Sequence, residues 1–152
     1  IPDCIRSIRK KKTIILRNPN FNRPWQHVLE PLKGYLFLAK DQFKKPKKFS
    51  GAWNFGTNLN SLTSVKKLVK LLIKFWGKGK VLSKKNNFYE QENLQLNINK
   101  AKRELNWYPT YNIRESVRQT VDWYYKVLEK KELPIKVTND QIRNYMNESK
   151  IS

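Results

Sequence analysis

The chain is poor in the residues on which most chemistry depends. Its one cysteine, Cys4, excludes an internal disulfide and fits a reducing compartment. Its one histidine, His27, stands without a nearby cysteine or carboxylate pair, so it reads as a hydrogen-bonded structural residue and not as a metal ligand. There are five glycines, and the nearest approach to a phosphate-cradling turn is Gly77-Lys78-Gly79. That run lacks a third glycine and follows a helical pattern, whereas a dinucleotide turn must follow a strand. No apolar run approaches a membrane span, because Leu68 to Trp76 is broken by Lys70 and Lys74. The first twelve residues hold Asp3, end in Lys10-Lys11-Lys12 and contain no apolar core, so no secretory signal is visible and a cytoplasmic protein is expected.

Acidic residues are also scarce. Twelve Asp and Glu stand against 32 Lys and Arg, a formal net charge of +20. Such a balance ordinarily suggests nucleic acid or an anionic membrane. Yet only eight of the basic residues are Arg, and the rest are Lys in a chain rich in Asn and Ile. Arg is the side chain suited to bidentate phosphate and base recognition, while Lys is a hydrated point charge that decorates surfaces. Lys-Asn-Ile enrichment is also what an AT-biased genome yields without selection for binding. The charge therefore reads as surface, and nucleic acid is not the expected partner; a basic nucleic-acid-binding module stays as the second reading. Lys44-Lys45-Pro46-Lys47-Lys48 reads as a solvated loop.

With 152 residues, 39% of them hydrophobic, the chain can build one domain or lobe with a modest core. The pattern is mixed α/β: short strands and several helices, without the long strand-helix alternation of a Rossmann sheet. A helix is expected from Pro2 to Arg9, and a short strand at Thr13-Ile14-Ile15-Leu16. Val28 to about Phe43 reads as a helix with Pro31 in its first turn and Leu32, Tyr35, Leu36 and Ala39 on its apolar face. Ala52 to Phe55 suggests a brief strand. Val65 to Trp76 sets Val65, Leu68, Val69, Leu72 and Trp76 against Lys66, Lys70 and Lys74, and Gly77 closes it. Leu94 to Ile98 reads as a strand or extended arm, with Asn97 able to cap a helix running to Leu105. Asn112, with Glu115 three residues on, starts the longest helix, whose stripe is Ile113, Val117, Val121, Tyr124 and Leu128. Residues 1–133 are expected to form the lobe and 134–152 a partly ordered extension, with a helix only over Gln141 to Met146.

The densest stretch runs from Arg17 to Tyr35 and carries two Arg, three Asn, a Trp, a Gln and His27. Pro19 and Pro24 push Asn18 and Arg23 into extended backbone. An extended arm bearing Arg, Asn and Trp and leading into a helix is a plausible cradle for a flat anionic ligand. This stretch, together with Ile1 to Arg6, Gly51 to Gly56, Asn99-Lys100-Ala101 and Leu105-Asn106-Trp107, resembles the CDP-glucose 4,6-dehydratases. These are sugar-nucleotide enzymes of the extended short-chain dehydrogenase/reductase class, and the resemblance covers roughly Ile1 to Lys130.

What the resemblance implies is the substrate-binding C-terminal lobe of such an enzyme, without its Rossmann half. NAD would belong to the complete enzyme, with none held here. The Tyr-x-x-x-Lys pair that does acid/base work in the family has no counterpart: Tyr125 reaches Glu129, and Lys130 is one position too far. The chain opens on Ile inside a family motif, which fits a C-terminal fragment; no catalytic residue is expected in it. The implied partners are CDP-glucose and an N-terminal Rossmann half, and the full-length enzyme would be a homo-oligomer. Arg23 matches the family's diphosphate contact, and a guanidinium fork suits that group. Asn18 and Asn20 would lie beside the nucleotide, with Trp25 beneath the arm. Glu90 falls where the family carries His-Pro-His-Glu, keeping the carboxylate while both His and the Pro are replaced, and would accept from sugar or ribose hydroxyls. A non-catalytic partner of a separately encoded Rossmann half is a third reading.

Overall fold

The computed structural model describes residues 1–58, 62–84 and 94–149, which form seven helices and four short strands. Helix α1 (Pro2–Arg9) buries Ile5 and Ile8 and leads into β1 (Ile14–Leu16), whose alternation turns Ile14 and Leu16 inward and Ile15 outward. β1 pairs in parallel with β4 (Val81–Ser83), Ile14 opposite Val81. Between them in sequence lies α4 (Val65–Trp76), with Ser64 accepting from the Lys67 N–H at its start. Gly77 ends it with φ of 87°, a left-handed conformation that glycine adopts without a Cβ penalty. Leu68, Val69, Leu72 and Trp76 face inward and Lys66, Lys70 and Lys74 face solvent, as the spacing predicts.

Helix α6 (Ile113–Leu128) packs along α4, and its cap is the Asn112 side chain accepting from the Glu115 N–H at 2.9 Å. Ile5, Ile8, Ile14, Leu16, the inner face of α4, Val117 and Val121 form one apolar cluster. A second contains Phe49 of α3 (Pro46–Phe49), Phe55, Ile98, Ala101 and Leu105 of α5 (Asn99–Leu105), and Trp107. α2 (Leu29–Lys44) packs against α3 and α5, contributing Phe37 and Leu38 to this second cluster.

Three expectations change. The predicted apolar face of α2 points outward: Leu32, Tyr35, Leu36 and Ala39 are exposed, while Glu30, Lys33 and Gly34 are buried. The inward face is chosen by hydrogen bonds made far along the chain and by Phe55, whose ring would lie 2.3 Å from a Cβ on Gly34. Ala52 to Phe55 joins no ladder among the described residues; side chains take its carbonyls instead, Lys100 Nζ at Ala52 O and Gln26 Nε2 at Phe55 O. Leu94 to Ile98 takes the second of its two expected forms, an extended arm, and Asn97 Oδ1 accepts from Asn99 N at 2.9 Å. The helix expected only over 141–146 is α7 (Pro134–Glu148), packed on α6 through buried Val137, Gln141 and Tyr145. The sequence also gave no notice of β2 (Asn22–Arg23) and β3 (Thr63–Ser64), an antiparallel pair with Arg23 opposite Thr63.

Candidate functional site

The arm from Asn18 to Trp25 is fixed along its backbone. Pro19 pre-sets the turn, which closes with Phe21 N–H donating to Asn18 O at 3.3 Å. Lys66 N–H then donates to Pro19 O at 2.8 Å and Val65 N–H to Phe21 O at 3.0 Å. With the Ser64 hydroxyl, these carbonyls occupy first-turn donors of α4 that a helix start otherwise leaves open. The arm is thus the cap of a core helix, and its shape is held by that helix.

Arg23 is half-buried on β2, with Nη1 donating to Asn22 O at 2.9 Å and its guanidinium carbon 5.3 Å from the Phe21 ring centroid. The fork thus touches both the backbone and a ring face. Asn18 is half-buried and Asn20 exposed at the turn. Trp25 lies against the first apolar cluster and its indole N–H donates to Thr63 O at 3.2 Å, so one edge of its ring is committed to the β2–β3 pair. Asn18, Asn20, Arg23 and Trp25 therefore share one braced arm. Glu90, with Glu92 beside it, lies outside the described residues. Leu94 N–H donates to Asn22 O at 3.4 Å, next to Arg23.

His27 behaves as its position predicts. It is buried at the start of α2, Nδ1 accepts from the Leu29 N–H at 3.4 Å, and its ring meets Tyr111 edge-on at 5.8 Å. Burial lowers its pKa, with the Glu115 charge opposing.

Sequence reasoning missed a buried polar node beside this arm. Glu30 is fully enclosed; its carboxylate accepts from Thr110 N–H at 3.0 and 3.1 Å, Tyr111 N–H at 2.7 Å and the Tyr145 hydroxyl at 2.8 Å. Lys33 Nζ donates to Tyr108 O and Thr110 Oγ1, both at 2.8 Å, and its pKa is lowered by burial against the pull of Glu30. The only warning in the sequence is that Glu30 and Lys33 fall on the same helical face as Phe37. A cleft of about 460 Å³ opens nearby, between Ile1, Gln26 to Leu29, and the facing sides of α6 and α7. Gln26 Oε1 and Thr57 Oγ1 are buried without a hydrogen-bond partner among the described residues. Those residues hold no cluster of three or more metal-ligating side chains, and no helix long and apolar enough to cross a membrane.

No protein-family model matches the chain. A CDP-glucose 4,6-dehydratase of Salmonella typhimurium is 34% identical over 149 residues, covering 97% of this chain and 41% of that protein. The chain thus spans about two fifths of the length of this relative. Among solved structures, a dTDP-glucose 4,6-dehydratase from Bacillus anthracis, in complex with NAD, superposes with a TM-score of 0.67. Its identity is 22%, over 84% of this chain and 39% of the other. A UDP-glucose 4-epimerase from Thermotoga maritima with UDP-glucose gives a TM-score of 0.65 at 23% identity, over 80% and 38% of the two chains. The fold is that of the C-terminal portion of extended short-chain dehydrogenase/reductase enzymes, which accounts for the short strands and the excess of helix. By sequence the chain is similar to a CDP-glucose 4,6-dehydratase, and by fold to about two fifths of each of these solved enzymes.

Proposed function

We propose that this chain is the sugar-nucleotide-binding portion of an NAD-dependent 4,6-dehydratase whose substrate is CDP-glucose. The observation that carries the reading is the braced arm: an Arg fork held half-buried between its own backbone and Phe21, on a strand pinned to the start of α4. A preorganised guanidinium loses little freedom when it takes two oxygens of a diphosphate. Asn18 and Asn20, on the same turn, offer amide groups to the nucleotide. Trp25 supports the arm from below, and Glu90 accepts from hydroxyls of the sugar or ribose.

The glycines of this chain do not fit a dinucleotide site. Gly77 serves as the C-cap of α4, and Gly34 and Gly56 stand against Phe55 and Leu96. NAD binding and the oxidation, elimination and reduction steps are accordingly assigned to the rest of the enzyme, and this chain supplies grip on the substrate. Alone, with CDP-glucose and NAD, it is expected to yield no 4-keto-6-deoxy product.

Calorimetric titration of CDP-glucose tests the reading. A hydrogen bond to a charged group contributes about 1.5–3 kcal/mol, so Arg23→Lys, which keeps the charge but loses the fork, should weaken binding by roughly tenfold or more. Arg23→Ala should weaken it further. Equal affinity for wild type and Arg23→Lys, or a loss matched by lower thermal stability without ligand, removes Arg23 from the site.

A further inference from the structure

Helices α1, α4 and α6 all finish at one end of the lobe. Arg9, Lys10, Trp76, Lys78 and Glu129 line a recess of about 360 Å³ between their last turns. Ile14 N–H donates to Lys80 O at 2.8 Å, so the 78–80 turn runs beside the chain leaving α1. Lys130 Nζ lies 5.8 Å from the Tyr125 ring centroid, and that ring meets Trp76 edge-on at 5.6 Å. Three lysine-bearing segments, 10–12, 78–80 and 130–131, thus meet at one recess.

Helix dipoles explain only part of this charge. Each C-terminus carries roughly −0.5 of an elementary charge, so the three ends together call for about two cations. Lys10, Lys11, Lys12, Lys78, Lys130 and Lys131 supply more, and none of them is in an ion pair among the described residues. The acids at this end are Glu129, already held by Arg9 Nε at 3.0 Å, and Glu132. Backbone conformation is a second, independent sign. Lys11 and Lys131 have φ of 53° and 60°, the left-handed region that favours glycine after a helix. Lys12 N–H returns to Ser7 O at 2.8 Å and Glu132 N–H to Lys126 O at 3.1 Å, which closes both turns. Gly77 fills the corresponding place after α4. Lysine therefore stands where it strains the backbone, and strain of this kind concentrates at functional sites.

We infer that this recess is a binding site for a polyphosphate anion, distinct from the proposed sugar-nucleotide arm. A lysine ammonium is a point charge that takes phosphate oxygens without the planar match of a guanidinium, and several of them spaced round a hollow suit a ligand with several charges. Trp76, the aromatic in the lining, is 5% exposed, so the recess offers no platform for a base and reads the phosphate chain alone. The two sites lie apart. The Arg23 arm caps the start of α4 and the recess lies at the other end of that helix, about 18 Å away over its twelve residues.

Calorimetric titration of the 152-residue chain with inorganic tripolyphosphate at low salt tests the inference. One-to-one binding is expected, weakened roughly tenfold or more by Lys10→Ser combined with Lys78→Ser at an unchanged melting midpoint. Lys40→Ser with Lys44→Ser removes the same charge from exposed positions of α2 and should leave the affinity unaltered. Lys11→Gly should raise the melting midpoint by relieving the backbone, and should weaken binding by about twofold or more. Adenosine triphosphate should bind no more tightly than tripolyphosphate. Absence of binding overturns the inference, as do equal losses in the two lysine pairs, which would leave net charge as the whole cause. So does a Lys11→Gly variant of unchanged affinity, or markedly tighter binding of the nucleotide, which would require a base pocket. Displacement of tripolyphosphate by CDP-glucose, or its loss in Arg23→Ala, would place the anion on the arm and likewise overturn the inference.

Discussion

The Tyr145 hydroxyl donates to Glu30 Oε2 at 2.8 Å, joining the last helix to the first turn of α2 across 115 positions of sequence. Glu30 is fully buried, so each of its donors stands in for water the carboxylate has lost. The bond ties the buried face of α7 to α2.

Tyr145→Phe is therefore expected to lower stability by about 1–3 kcal/mol, because it strips a buried charged acceptor of one donor while leaving the ring in place. Glu30→Ala should cost more, since it orphans the Thr110 and Tyr111 N–H groups and leaves Lys33 without its counter-charge. Urea unfolding with an unchanged m-value measures both. Wild-type stability in Tyr145→Phe would show that α7 is held by apolar contact alone.

Gly34→Ala sets helix propensity against packing. In an exposed helix interior the change would stabilise by roughly 0.5–1 kcal/mol. Here the new Cβ would sit 2.3–2.6 Å from the Phe55 ring, whose other faces are held by Tyr35 and Trp107. Overpacking of this kind costs typically about 1–3 kcal/mol, so the net effect is predicted to be destabilising. Thermal denaturation decides the sign, and a raised midpoint would mean that Phe55 moves freely.

Stability should fall on both sides of neutrality. Burial, helped by the charges of Glu148, Glu115 and Glu30, pushes Tyr111 up to about 12, and Tyr145 is raised further, again chiefly by burial. Both then stay protonated in the folded state while the unfolded chain ionises, so stability declines as pH rises above the ordinary tyrosine value of 10. His27 has the opposite sense: its lowered pKa means the unfolded chain binds its proton first, and stability drops as pH falls below 6.5. Urea midpoints across pH should show both flanks. Tyr111→Phe with Tyr145→Phe should flatten the alkaline one and His27→Gln the acid one; an unaltered profile in these variants would assign the flanks to other groups.

The same residues show where the sequence was readable. α4 and α6 could be drawn from spacing alone because charge and apolar side chains oppose each other cleanly, Lys66, Lys70 and Lys74 on one side and Leu68, Leu72 and Trp76 on the other. α2 could be located but not oriented. It carries apolar residues on two faces, Phe37 with Leu38 and Leu32 with Leu36, and the deciding partners of Glu30 lie some 80 positions away at Thr110 and Tyr111. β2 and β3, two residues each, are shorter than any period that could reveal them. Pro19 and Pro24 did make the arm legible as extended backbone. That its carbonyls cap α4 depends on a contact between distant segments that no local pattern records.

The core is divided into two apolar clusters, and this division bears on how the chain opens. One is built from α1, β1, α4 and α6, and the other from α3, α5, Phe55 and Trp107. Beside the second stands Glu30, whose backbone carbonyl accepts from the Trp107 indole N–H at 3.3 Å while its side chain holds the 110–111 loop and α7. A layout of this kind gives amide exchange two cooperative units in place of one. Loss of the Glu30 carboxylate would then let the second unit fluctuate while the first kept its protection.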